Sequence, residues 1–139
     1  MDMPNTQPQT LTQELLEEKY TQAAHVSLAN YSFYMGASNN NLEEVLKTWL
    51  QYPAENTLAI NIKADGLMPS LKTMLDQYGI TNYFLFDMSV PETIRCHAAG
   101  LRFFSRQSEY EPTPYLYDES AGVWLDCFKN TWYGADLMQ

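Results

Sequence analysis

From residue 57 onward, four short runs of aliphatic and aromatic residues alternate with segments of helical spacing: Leu58-Ala-Ile-Asn-Ile62, Tyr83-Phe-Leu-Phe86, Leu101-Arg-Phe-Phe104 and Gly122-Val-Trp-Leu125. Runs this short and this apolar are what strands covered on both faces require, and a spacing of roughly 20 to 24 residues is one strand-helix unit with tight loops. The alternation therefore predicts an α/β fold with a mostly parallel sheet and flanking helices. Between the first two runs, Leu67, Leu71, Met74 and Leu75 recur at helical spacing, and Gly79 followed by Ile80 supplies a left-handed stop with its apolar contact. Between the second and third, Ser89-Val-Pro-Glu92 is a capping box, with Pro91 in the first turn, and Gly100 ends that helix.

Upstream, residues 10–24 read as an amphipathic helix with Leu11, Leu15, Leu16 and Tyr20 on one side and Glu14, Glu17 and Glu18 elsewhere. Asn41-Leu-Glu-Glu44 is a second capping box, opening a helix striped by Leu42, Val45, Leu46, Trp49 and Leu50 that Pro53 ends. Residues 25–34 carry apolar side chains at about every second position, which predicts a strand. Residues 1–9, rich in Pro, Gln and Asn, read as a disordered tail, and residues 10–139 as a single α/β domain.

Seventeen acidic against eight basic residues give a formal charge of −9, which repels nucleic acid and anionic membrane surfaces. No apolar stretch approaches a membrane span, and Met1-Asp-Met-Pro-Asn-Thr-Gln-Pro8 lacks the basic region and apolar core of a signal peptide. Cys96 and Cys127 fit neither a disulfide framework nor a zinc cluster, so a reducing, cytoplasmic home is expected. With no base in its motif, Cys127 reads as a small hydrophobe rather than a nucleophile.

Parallel strands gather ligand sites at their carboxyl ends. Those ends read Lys63-Ala-Asp65, Asp87, Ser105-Arg106-Gln107-Ser108-Glu109 and Asp126, so every predicted strand delivers charge at the same end. A single Asp at such a place is commonly a helix cap, as Asp87 two residues before Ser89 illustrates; four charged ends together point to a site. Trp124 and Asp126 alternate onto one side of their strand, to serve either as a ligand wall or as core and turn. The aromatic set Tyr110, Tyr115, Tyr117, Trp124, Trp132 and Tyr133 suits stacking on a sugar or base, or a partly polar core under a long loop.

The segment from Leu58 to Phe128 resembles the middle and later strands of the phospholipase C-like phosphodiesterases, and among them the glycerophosphodiester phosphodiesterase type. The residues that carry the resemblance are Leu58-Ala-Ile-Asn-Ile-Lys-Ala-Asp-Gly66, Tyr83-Phe-Leu-Phe-Asp-Met-Ser-Val-Pro91, Phe104-Ser-Arg-Gln-Ser-Glu-Tyr-Glu-Pro112 and Gly122-Val-Trp-Leu-Asp126, in order and at matching spacing over about half the chain. The resemblance implies a partial TIM barrel whose βα repeats correspond to strands four to seven. It implies phosphodiester cleavage, with Mg²⁺ or Ca²⁺ if the chain is active. Lys63, Arg106, Glu109, Trp124 and Asp126 would then bind a small phosphate ester, Arg106 by two parallel hydrogen bonds, with Asn61, Asp65 and Asp87 supporting them. The family's His-Arg pair, Glu-x-Asp metal pair and further His have no counterpart here: no Arg follows His25, His97 falls in a helix, and Asn61 stands where many relatives place a metal-binding Glu. No eighth strand follows before Gln139.

Three function classes stay open on these residues. The first is a truncated or degenerate phosphodiesterase-like protein without hydrolysis of its own. The second is an active metal-dependent hydrolase with a rebuilt first half, and the third a phosphate-ester-binding or regulatory module. Four or five strands do not close a barrel of this type, so Ile60, Ile62, Phe84, Phe86, Phe103 and Leu125 are expected to leave an apolar sheet face that a homodimer would cover.

Overall fold

The computed structural model describes residues 6–29, 31, 33–36, 40–52, 55–131 and 133–134. The chain divides into two compact units, Met1–Ala54 and Glu55–Gln139. In the first, α1 (Gln13–Val26) starts at Thr12, whose hydroxyl accepts the Leu15 N–H, and α2 (Leu42–Trp49) starts at Asn41. Leu16 and Leu46 are its buried aliphatic side chains, and the Tyr20 ring meets Phe33 edge-on at 5.0 Å. The capping box expected at Asn41 does not form. Its amide donates instead to the carbonyls of Leu11 and Gly36, each at 2.9 Å, while Glu44 accepts the Gln13 N–H from the other helix. Longer-range partners win over the local one because they tie separate segments together.

Among the described residues of 25–34 the expected strand is not found: residues 25 and 26 complete α1, Ser27 to Ala29 make a turn closed by the Ser27 hydroxyl, and Phe33 is an isolated bridge residue. Asn30 and Ser32 of that run lie outside the described residues, as do Pro53, Trp132 and residues 1–5.

The second unit alternates as the sequence predicts, through β1 (Leu58–Asn61), α3 (Met68–Tyr78), β2 (Tyr83–Phe86), α4 (Val90–Ala98), β3 (Ser105–Gln107) and β4 (Val123–Leu125). The architecture is mixed α/β with short parallel pairs, β1 with β2 and β3 with β4, and the described strands close no barrel. A single parallel bridge, Leu85 to Phe103, joins the two pairs. Both helix stops follow the glycines. Gly79 (φ 63°) and Gly100 (φ 68°) take the left-handed conformation, and the next residues, Ile80 and Leu101, donate back to Leu75 and Cys96. Ser89 caps α4 by accepting the Glu92 N–H.

Strand boundaries differ from expectation in one place. The apolar run 101–104 contributes only the Phe103 bridge, and the regular strand is the polar Ser105–Gln107. The run serves β2 on one side, through Leu85, but its Phe103 carbonyl already accepts the Ala121 N–H at 2.8 Å, and Ser105 N–H donates to the carbonyl of Gly122, just before β4, at 3.0 Å. Nor are all strands covered on both faces: Leu58 and Ile60 of β1 are buried, Ala59 and Asn61 exposed.

Register sorts the side chains. Ile60, Leu85 and Phe103 fall in one row, at 8%, 0% and 2% exposure, each side chain contributing about 1.5–3 kcal/mol when fully buried. The opposite face carries Phe84, stacked on Phe104 at 4.1 Å, and Phe86, which meets Trp124 at 4.4 Å. The six residues expected to share one apolar face are therefore split: Ile60, Ile62, Phe103 and Leu125 alternate onto one side, Phe84 and Phe86 onto the other.

Gly122 lies against the ring side of this second face. A Cβ there would stand 2.9 Å from the Phe104 ring, which its stack on Phe84 prevents from retreating. Gly122→Ala is expected to destabilise the unit by about 1–3 kcal/mol in denaturant titration, the range for overpacking; an unchanged midpoint would show that the ring moves freely.

Candidate functional site

The carboxyl ends of β1, β2 and β3 converge. Lys63, two residues past β1, forms an ion pair with Asp87, the residue that follows β2. Arg106, inside β3, donates from Nη1 to the same carboxylate at 3.4 Å and from Nε to Glu111 at 2.5 Å. Asp87 is 12% exposed and its backbone is left-handed (φ 63°), a conformation that aspartate tolerates better than bulky residues. Burial works against the charge on Arg106, but the hydrogen bond and charge of Glu111, and then those of Asp87, outweigh it and raise its pKa above the ordinary value.

A second layer adjoins this one. Ser89 donates to Asp65 at 2.8 Å, and Arg95 lies 4.0 Å from Asp65 and 2.6 Å from Glu92. Glu92, fully buried, also accepts the Gly66 N–H at 3.1 Å. The expected reciprocal half of the capping box is thus replaced: Glu92 reaches across to the loop after β1 rather than back to Ser89.

Of the residues singled out from the sequence, Lys63, Asp65, Asp87 and Arg106 are brought into this cluster. Glu109 is not. Its carboxylate accepts the N–H groups of Phe128 and Lys129 at 2.9 and 2.6 Å, clamping the loop after β4. Trp124 packs on Phe86, Asp126 accepts the neighbouring Cys127 N–H, and Asn61 is exposed on β1. Cys127 is exposed, whereas Cys96 is buried, and burial followed by the charge of Glu92 pushes the Cys96 thiol up to about 12. His97 sits near the end of α4 remote from the Ser89 cap, edge-on to Phe103 at 6.2 Å.

Sequence reasoning missed Glu92, Arg95 and Glu111 as members of the cluster. Glu111 joins it because Ser108 and Glu111 exchange two backbone hydrogen bonds, a tight turn that carries Glu111 back beside Arg106.

The cluster opposes three cations, Lys63, Arg95 and Arg106, to four carboxylates, Asp65, Asp87, Glu92 and Glu111. The set carries one more formal negative charge than positive. It does not suit the Mg²⁺ or Ca²⁺ that the family resemblance implies, because a hard dication needs about six or more oxygens and these carboxylates already face protein cations. Among the described residues no three His, Cys, Asp or Glu side chains are placed to hold a metal, and the buried, orphaned Oε2 of Glu109 is a single oxygen.

No protein-family model, no curated protein and no solved structure matches the chain.

The Glu109 clamp has a pH signature. Partial burial raises its pKa, but backbone amides, including those of Phe128, Lys129 and Asn130, lower it more, and the net value lies below the ordinary one. A depressed carboxylate pKa makes the clamp complete above the ordinary value of 4.5 and lost as pH falls through the folded value. Amide exchange protection at Phe128 and Lys129 is therefore expected to decline on acidification below that value, and Glu109→Ala to show weak protection at every pH. Protection independent of both pH and Glu109 would contradict the clamp.

Proposed function

We propose that the carboxyl ends of β1, β2 and β3 receive a small phosphate ester, in a degenerate protein of the glycerophosphodiester phosphodiesterase type that does not hydrolyse it alone. The observation that carries this reading is the convergence of Lys63 and Arg106, from different strand ends, on one carboxylate. Asp87 holds the two cations together in the absence of ligand, and a phosphate offers each the same partner chemistry with more oxygens. Lys63 is the looser half: its side chain is 72% exposed, so its pairing with Asp87 contributes about 0–1 kcal/mol and yields readily. Arg106 is the firmer half, braced by Glu111.

Two further observations support the relationship. Neighbouring parallel strands follow chain order from β1 to β4, as they do around a barrel of this type. Both cysteines are free thiols, which suits the proposed cytoplasmic setting. Among the described residues no helix is long and apolar enough to cross a membrane. The proposed homodimer now rests on the half-exposed rings of Phe84, Phe104 and Trp124; light scattering at micromolar concentration should report a dimer, and a monodisperse monomer removes it.

Titration calorimetry with glycerol 3-phosphate tests the function. Binding should weaken with salt, and Arg106→Ala should cost about 1.5–3 kcal/mol, roughly 10- to 100-fold in affinity. Lys63→Ala, at an exposed position, gives a smaller loss in the same direction without risk to the fold. Glycerophosphodiesters should not turn over with Mg²⁺ or Ca²⁺. Absence of phosphate binding sinks the proposal, and metal-dependent turnover abolished by Arg106→Ala replaces it with the active hydrolase.

A further inference from the structure

Beside Arg106 the loops after β3 and β4 present two large rings to solvent. Tyr110 is 59% exposed and Phe128 54%. They meet at 5.6 Å with planes inclined by 57°, so neither covers the other's face. Cations flank both: the Arg106 guanidinium lies 6.0 Å from the Phe128 ring centre, and the Lys129 ammonium 5.1 Å from that of Tyr110. The order in space is cation, ring, ring, cation.

Exposed rings are normally mobile, but the backbone under these two is fixed. The Tyr110 N–H donates to the fully buried Ser108 hydroxyl at 3.2 Å, within the turn that Ser108 and Glu111 close. The Phe128 N–H is held by Glu109. An open, pre-positioned pair of rings lowers the ordering cost of stacking a planar ligand, and flanking cations favour one that carries negative charge. Of the nearby carboxylates, Glu111 pairs with Arg106, and Glu109 accepts these amides through Oε1 while its buried Oε2 has no hydrogen-bond partner among the described residues.

We propose that Phe128 and Tyr110 form the seat for an aromatic group on the phosphate ester, so that the preferred ligand is a nucleoside monophosphate or similar aryl phosphate rather than a polyol phosphate. Arg106 belongs to both parts of the site: it meets the phosphate and stands over the first ring. This inference rests on the phosphate-binding reading above for the anionic half of the ligand, while the rings carry the other half independently.

Three probes separate the halves: adenosine monophosphate, glycerol 3-phosphate and adenosine, titrated against the whole chain at one ionic strength. Adenosine monophosphate should bind at least tenfold more tightly than glycerol 3-phosphate, the order of one base-aromatic stack. Phe128→Ala and Tyr110→Ala should reduce that preference, lowering adenosine monophosphate affinity by more than glycerol 3-phosphate affinity. Phe128→Leu, which keeps the bulk and removes the ring, should behave like Phe128→Ala, with unaltered circular dichroism reporting an intact fold. Equal affinity for the two phosphates, or a preference that survives the ring substitutions, overturns the aromatic seat and leaves the phosphate site standing. Equal binding of adenosine and its monophosphate, with none of glycerol 3-phosphate, overturns the phosphate site and keeps the seat. Binding of none of the three overturns both.

Discussion

Asp87 ties three strand ends together. Its backbone turns left-handed as it leaves β2, a conformation that costs on the order of 1–3 kcal/mol for a residue with a side chain, and its carboxylate faces Lys63 from β1 and Arg106 from β3. Without that carboxylate, two cations would confront each other across the mouth of the strands. The same turn delivers Ser89 two residues later, so the cap of α4, the grip of Ser89 on Asp65 and the position of Glu92 all follow from how the chain leaves β2.

On the proposed reading, this cluster would be a compromise between stability and recognition. Its carboxylates are paired, which makes it a sound structural network, and Arg95 and Arg106 are each shared between two of them. Partial burial strengthens the Arg106 pairs relative to those of the exposed Lys63. The proposed phosphate ester would therefore meet a fixed half and a yielding half. That asymmetry is common to receptors that must release their ligand, and it arises here because Arg106 lies within a strand while Lys63 lies beyond one.

Much of this was legible from the residues. Alternation of apolar runs and helical segments placed β1, β2, β4, α3 and α4, since each is short, local and punctuated by a residue with one conformational role, as Gly79 and Gly100 show. The convergence of Lys63, Asp65, Asp87 and Arg106 was legible because strand direction alone dictates it. Distant partners were not legible. Asn41 and Glu92 have local capping options, and both are drawn away by backbone groups that only the folded chain brings near. Glu109 follows the same rule: next to Arg106 in the sequence pattern, it belongs in space to the amides after β4. The end of the third apolar run escaped for a different reason, because hydrophobicity marks burial and Phe103 is buried, whereas strand pairing is decided by which neighbour offers free backbone groups.

The handover near Phe103 gives the second unit a seam. One bridge, with backbone hydrogen bonds from Leu85 to Arg102 and from Phe104 to Leu85, joins the β1–β2 pair to the β3–β4 pair, so the backbone connection is narrow there and side-chain contacts carry the rest. Lys63 and Asp87 lie on one bank, Arg106 and Glu111 on the other. An anion held by both cations would act as a stitch, so its affinity and the cohesion of the two halves become one thermodynamic quantity. If the rim takes the proposed phosphate ester, its occupancy and the mechanical integrity of the sheet would be coupled.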